Sequence, residues 1–117
     1  MSQQIIAISW SHHQTPLDFR DKLALSREEI QRCIRLYSDK KPILELTALS
    51  TCNRIEFYAL AERSVHVLSA IKNLYGNIFK RNILWHQSSP KIYTGMNAVC
   101  HLFRVAAGMQ SMVLGEN

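Results

Sequence analysis

Cys52 lies in the run Ser50-Thr51-Cys52-Asn53-Arg54, which places a guanidinium two residues after a thiol. A thiol attacks a carbonyl carbon as its thiolate, and a nearby cation raises the thiolate fraction. This spacing therefore makes Cys52 the first candidate for a reactive thiol. The polar neighbours fit an exposed connection between strands, where reactive groups tend to gather. The competing reading is a buried structural thiol, the ordinary fate of an arbitrary cysteine, and composition and spacing alone stay near that reading. Cys33 falls on an apolar helical stripe and Cys100 beside another, so both are expected to pack. His101 shares a helix face with Arg104 and Val105, off the apolar stripe, and is expected either in solvent or in a cleft as a base or orienting group. His12 and His13 fall in a polar first loop, and His66 and His86 read as surface residues. No histidine pair has the spacing of a zinc helix. No Gly-rich turn follows a strand, so the sequence carries no dinucleotide fingerprint.

The elements that must position these groups follow from periodicity. Gln4 to Trp10 is rich in β-branched and aromatic residues and reads as a buried strand. Ser11 to Arg20, with a proline and several polar residues, reads as a loop. Ser26 and Glu29 form a capping box, and Ile30, Cys33, Ile34 and Tyr37 follow at helical spacing, with the helix ending before Pro42. Ile43 to Ser50 and Arg54 to Glu62 read as antiparallel strands joined tightly through Thr51-Cys52-Asn53, with Ile55, Phe57, Ala59 and Ala61 on one face. Ser64 is placed to cap a second helix with the stripe Val65, Leu68, Ile71, Leu74, Tyr75 and Ile78. Lys91 to Thr94 is a short strand. A third helix starts at Met96, turns Val99, Leu102, Phe103 and Ala106 inward, and is expected to stop at Gly108. The order β-α-β-β-α-β plus a helix predicts an α+β, ferredoxin-like sandwich with an additional C-terminal helix. That fold hosts many unrelated functions.

A chain of 117 residues implies a single domain over 1–117. Its 47% hydrophobic and 20% charged residues exclude a disordered chain. No apolar run is long enough to span a bilayer, and no basic segment leads into an apolar stretch at the N-terminus, so the expected compartment is the cytoplasm. Three cysteines without a C-x-x-C pair fit reduced thiols rather than a disulfide framework. A net charge of +5 suits polyanionic partners, though many basic proteins never touch nucleic acid.

Two long stretches carry a family resemblance. Ser50-Thr51-Cys52-Asn53-Arg54-Ile55-Glu56-Phe57-Tyr58 resembles the S-T-C-N-R-x-E-x-Y signature of glutamyl-tRNA reductases. His101 to Gly108, followed by Ser111-Met112-Val113-Leu114-Gly115-Glu116, is similar to that family's H-L-F-R-V-A-A-G-x-x-S-M-V-L-G-E stretch. A weaker likeness runs through His12, Pro16, Arg20 and Lys22 to Ala24, where Ser11 and Gln14 depart from the family's usual Asn and Thr. The resemblance implies an enzyme acting on glutamyl-tRNA. Cys52 would be the nucleophile that forms a glutamyl thioester, and NADPH would reduce it to glutamate-1-semialdehyde for tetrapyrrole (porphyrin) synthesis. It further implies that Arg54 binds the substrate's side-chain carboxylate, that Thr51 and Ser111 line the substrate pocket, and that His101 is a catalytic group near the thiol, as base, tuner or orienter. Arg104 suits either tRNA phosphate or the pocket.

The family pattern continues past Gly115-Glu116 into nucleotide-binding and dimerisation parts, whereas this sequence ends at Asn117. The domain is therefore expected to hold no cofactor itself, to form the thioester without completing the reduction, and to lack the parts that would make a homodimer. Two alternatives are a non-catalytic domain that binds tRNA or a protein, and a thiol hydrolase unrelated to tRNA.

Overall fold

The computed structural model describes residues 2–113, with side chains over 2–109. In chain order the elements are β1 (Gln4–Ser11), α1 (Leu17–Leu23), α2 (Arg27–Leu36), β2 (Ser38–Lys40), β3 (Ile43–Ser50), β4 (Arg54–Ala61), α3 (Ser64–Asn73), β5 (Lys91–Thr94) and α4 (Met96–Val113). A π turn at Leu74–Ile78 extends α3, and a 3-10 turn at Trp85–Gln87 precedes β5. The five strands form one antiparallel sheet in the order β2-β3-β4-β1-β5. Without the short edge strand β2, this is the expected ferredoxin-like arrangement.

One face of the sheet is apolar. Ile6, Ile8 and Trp10 of β1 and Ile55, Phe57, Ala59 and Ala61 of β4 are buried there with Cys33 of α2 and Val67, Ala70 and Ile71 of α3. The alternation predicted for β4 is the one found. The capping box is also present: Ser26 Oγ accepts from the Glu29 N–H, and Glu29 Oε1 accepts from the Ser26 N–H at 2.8 Å. Arg81 reinforces this start of α2 by reaching both Glu29 carboxylate oxygens at 2.6 Å.

Four expectations fail. Part of the first loop is helical, because Pro16 fits the edge of a helix and Phe19 and Leu23, four residues apart, both reach the core. Ser64 is the first helical residue rather than a cap, and the stripe of α3 holds at Ile71, Leu74 and Tyr75 but starts from buried Val67 and Ala70, with Val65 exposed. Helix α4 runs past Gly108, which has no close neighbour and needs no special backbone angle. Finally, α4 presents the opposite face from the one expected. Ala98, His101 and Val105 are buried, whereas Leu102, Phe103 and Ala106 are exposed, with Phe103 at 68%. The reason lies in the sheet. Helix α4 packs on β1 and β5 over the second face, where Ser9, Glu56 and Tyr58 alternate with the core residues. The buried Glu56 on that face draws in His101, and small Ala98 and Val105 pack beside it.

Candidate functional site

The connection from β3 to β4 is held by its own polar groups. Thr51 Oγ1 accepts from the N–H groups of Asn53 and Arg54, both at 3.2 Å, and the Thr51 N–H donates to the Arg54 carbonyl at 2.9 Å. Ser50 Oγ accepts from the Leu25 N–H at 3.0 Å, tying the end of β3 to the segment before α2. The His12 N–H donates to the Asn53 carbonyl at 2.8 Å and fixes the first loop beside this turn. A turn with its backbone satisfied internally pushes its tip outward, and Cys52 at that tip is exposed. Cys100 is exposed as well, against expectation, because it lies outside the packed face of α4. Cys33 is buried as expected, and burial, with the nearby Glu29 charge, pushes its thiol up to about 11.

Behind the turn lies a buried polar cluster built on Glu56, whose side chain has no solvent exposure. Glu56 Oε2 accepts from Ser9 Oγ at 2.6 Å and from Arg54 Nη1 at 3.1 Å, and lies 2.6 Å from His101 Nε2. Glu56 Oε1 accepts from Tyr58 Oη at 2.5 Å. Burial alone would raise this carboxyl above its ordinary range. The hydrogen bonds from Ser9, Tyr58 and His101, with the His101 charge, outweigh it and hold Glu56 low. An ionised Glu56 requires His101 Nε2 to carry its proton and donate. Burial and the Glu56 carboxylate together raise the Tyr58 phenol, which stays a donor. From α4, His101 also stacks on Tyr93 of β5 at 4.1 Å between ring centroids, while Glu56 belongs to β4, with β1 running between the two strands. Of the two places expected for this histidine, solvent is excluded by its 7% exposure, and it lines a cleft instead.

Two adjoining cavities open on this region. One, about 450 Å³, is lined by His12, Thr51, Cys52, Asn53, Arg54, Arg104, Val105, Gly108 and Met109. The other, about 260 Å³, is lined among others by His13, Arg54, Lys91, Tyr93, His101 and Arg104. Arg54, Arg104 and Val105 stand in the wall between them. No acidic side chain lines either cavity among the described residues. Arg54 is only partly exposed and spends one nitrogen on Glu56, which leaves further donors of its planar fork for an anion.

The structure thus brings Cys52, Thr51, Arg54 and Arg104 to one cavity and places His101 in the next. The side chain of Ser111 and the Leu114-Gly115-Glu116 segment lie outside the described residues. Sequence reasoning assigned no role to Glu56, Tyr58, Ser9 or Tyr93. The available signal was the period of two in β4, which sets Arg54, Glu56 and Tyr58 on the face opposite Ile55, Phe57 and Ala59. No helix among the described residues is long and apolar enough to cross a membrane.

Comparison with known proteins gives one answer. The family model described as glutamyl-tRNAGlu reductase, N-terminal domain, matches residues 8–117. A glutamyl-tRNA reductase of Prochlorococcus marinus is 34% identical over 114 residues, covering 96% of this chain and 26% of that protein. One of Bacillus cereus is 34% identical over 112 residues, covering 96% and 25%. The chain therefore spans about a quarter of the length of these relatives. The structure of glutamyl-tRNA reductase from Methanopyrus kandleri aligns with a TM-score of 0.59 over 96% of this chain and 24% of that one, at 23% identity, and shares the fold. The chain belongs to the glutamyl-tRNA reductase N-terminal domain family.

Proposed function

We propose that this domain captures the glutamyl group of glutamyl-tRNA on Cys52. One observation carries the reading: an exposed thiol opens into a cavity whose charged wall is entirely cationic. Such a cavity favours an acidic acyl group on an anionic carrier. The Cys52 thiolate attacks the ester carbonyl carbon. A C–S bond forms, the C–O bond to the tRNA ribose breaks, and the oxygen leaves with its electron pair and takes up a proton. Arg54 pairs with the side-chain carboxylate of the glutamyl group, a task for which a guanidinium is suited by geometry. Thr51 shapes the turn that presents the sulfur and lines the same cavity. His101 acts through Glu56, which fixes Arg54, rather than by touching the sulfur.

In the full-length enzyme that the family resemblance implies, such a thioester would be reduced by hydride from NADPH to glutamate-1-semialdehyde for tetrapyrrole synthesis. The described residues offer no glycine-rich strand-to-helix turn to hold a dinucleotide, so no step of the reduction is assigned to them. Intact-mass analysis after incubation with glutamyl-tRNA tests the proposal. A glutamyl adduct is expected on the wild-type chain and none on Cys52→Ser. Salt-sensitive tRNA binding with no adduct on either would instead identify a binding domain.

A further inference from the structure

His101 is not the histidine that shares a cavity with Cys52. Its Nε2 is committed to Glu56 at 2.6 Å, its ring is stacked on Tyr93, and it lines the neighbouring cavity. The histidine in the Cys52 cavity is His12. Its backbone N–H bonds the Asn53 carbonyl at 2.8 Å, so the residue is anchored one position from the nucleophile. Its side chain is exposed and makes no hydrogen bond among the described residues. The ring rests on His13 at 4.0 Å between centroids. The other titratable groups lining this cavity are Cys52 itself, Arg54 and Arg104. A guanidinium does not release its proton in a protein. Imidazole is the side chain best suited to pass one near neutral pH.

We propose that His12 is the general acid of the capture step, protonating the ribose oxygen as it leaves; this rests on the Cys52 reading above. The sulfur enters as thiolate, and its electron pair forms the C–S bond. The carbonyl re-forms, the C–O bond breaks toward oxygen, and that oxygen takes the proton of His12. The ring is left neutral and is reprotonated by solvent. A ribose alkoxide is a poor leaving group, so a proton delivered in the transition state matters most for the natural ester.

The test compares two acyl donors on the 117-residue chain: glutamyl-tRNA, and the thiophenyl ester of glutamate, whose leaving thiolate needs no proton. In His12→Ala and His12→Gln the adduct should form about 10²- to 10⁴-fold more slowly from glutamyl-tRNA and at close to the wild-type rate from the thiophenyl ester. Both variants keep the backbone bond to Asn53 and alter an exposed side chain, so folding should survive; unchanged circular dichroism checks this. Equal slowing with both donors would assign His12 a structural role and overturn the proposal, as would no slowing with either. Failure of the wild-type chain to form an adduct with either donor would instead sink the Cys52 reading and this proposal with it.

Discussion

The two faces of β4 do different work with the same backbone. Ile55, Phe57, Ala59 and Ala61 are buried in the apolar layer beneath α2 and α3. Arg54, Glu56 and Tyr58, one residue out of step, form the polar cluster beneath α4. The first face obtains stability from area removed from water. The second buries a carboxylate, which is tolerable only because four side chains hydrogen-bond it. On the proposed function, stability and chemistry are separated to opposite sides of one strand, and substitutions on the two sides should differ in kind.

The largest effect on folding belongs to the apolar side. Phe57→Ala should lower unfolding free energy by about 3–5 kcal/mol in denaturant titration. Whatever remains folded should keep Cys52 exposed to alkylation. Glu56→Gln should cost roughly 1–3 kcal/mol, since Arg54 and His101 lose a charged partner. It should also slow the adduct from glutamyl-tRNA by about 100-fold, because small misplacements of positioning groups are expensive. A Glu56→Gln protein that is destabilised yet captures substrate at the wild-type rate would show that the polar face is scaffold only.

Acid should separate the faces as well. Glu56 is held below its ordinary value in the folded chain. Its contribution to stability is therefore present above the unfolded carboxyl range and is lost as pH falls through the depressed folded value. The wild-type chain should lose stability on acidification below about the ordinary carboxylate range, and Glu56→Gln should show a shallower slope there.

Much of this was legible in advance, for reasons that differ by element. The spans of β3 and β5 match the expected ones, and β1 and β4 differ by one residue at an end, because strand patterning against an apolar layer is locally encoded. Helix α1 was hidden by Pro16 and charged residues, with only Phe19 and Leu23 marking its buried side. Helix α4 misled because it has an apolar stripe that the fold leaves exposed. Periodicity finds such a stripe but not what it faces, and here His101 of the helix meets Glu56 on the sheet, a partner that no stripe could announce. The thiol and the guanidinium stand together in the sequence, but their spacing alone left a packed cysteine open, and only the likeness to the family signature gave them roles. The Glu56 cluster could not be assembled, since Ser9 and His101 lie 47 and 45 residues away in the chain.

Smaller effects sharpen the same contrast. Iodoacetamide should label Cys52 and Cys100 in the native chain and reach Cys33 only on unfolding, as burial and a raised thiol both protect it; peptide mapping reads the three sites separately. On α4, Val105→Ala should cost roughly 1.5 kcal/mol for two buried carbons. Phe103→Ala should stay within about 0.5 kcal/mol of wild type, the reverse of what the apolar stripe alone would suggest.

On the proposed function, the cation-walled cavity beside Cys52 ties the polar face to an acidic acyl group. The most direct measurement is the rate of Cys52 adduct formation from tRNA carrying glutamate against the same tRNA misacylated with glutamine, which removes one charge and keeps the shape. A charged hydrogen-bonded contact to Arg54 predicts that the glutaminyl group transfers about 10- to 100-fold more slowly. Equal rates would contradict the account, because the cavity would then be blind to the carboxylate that it is proposed to hold.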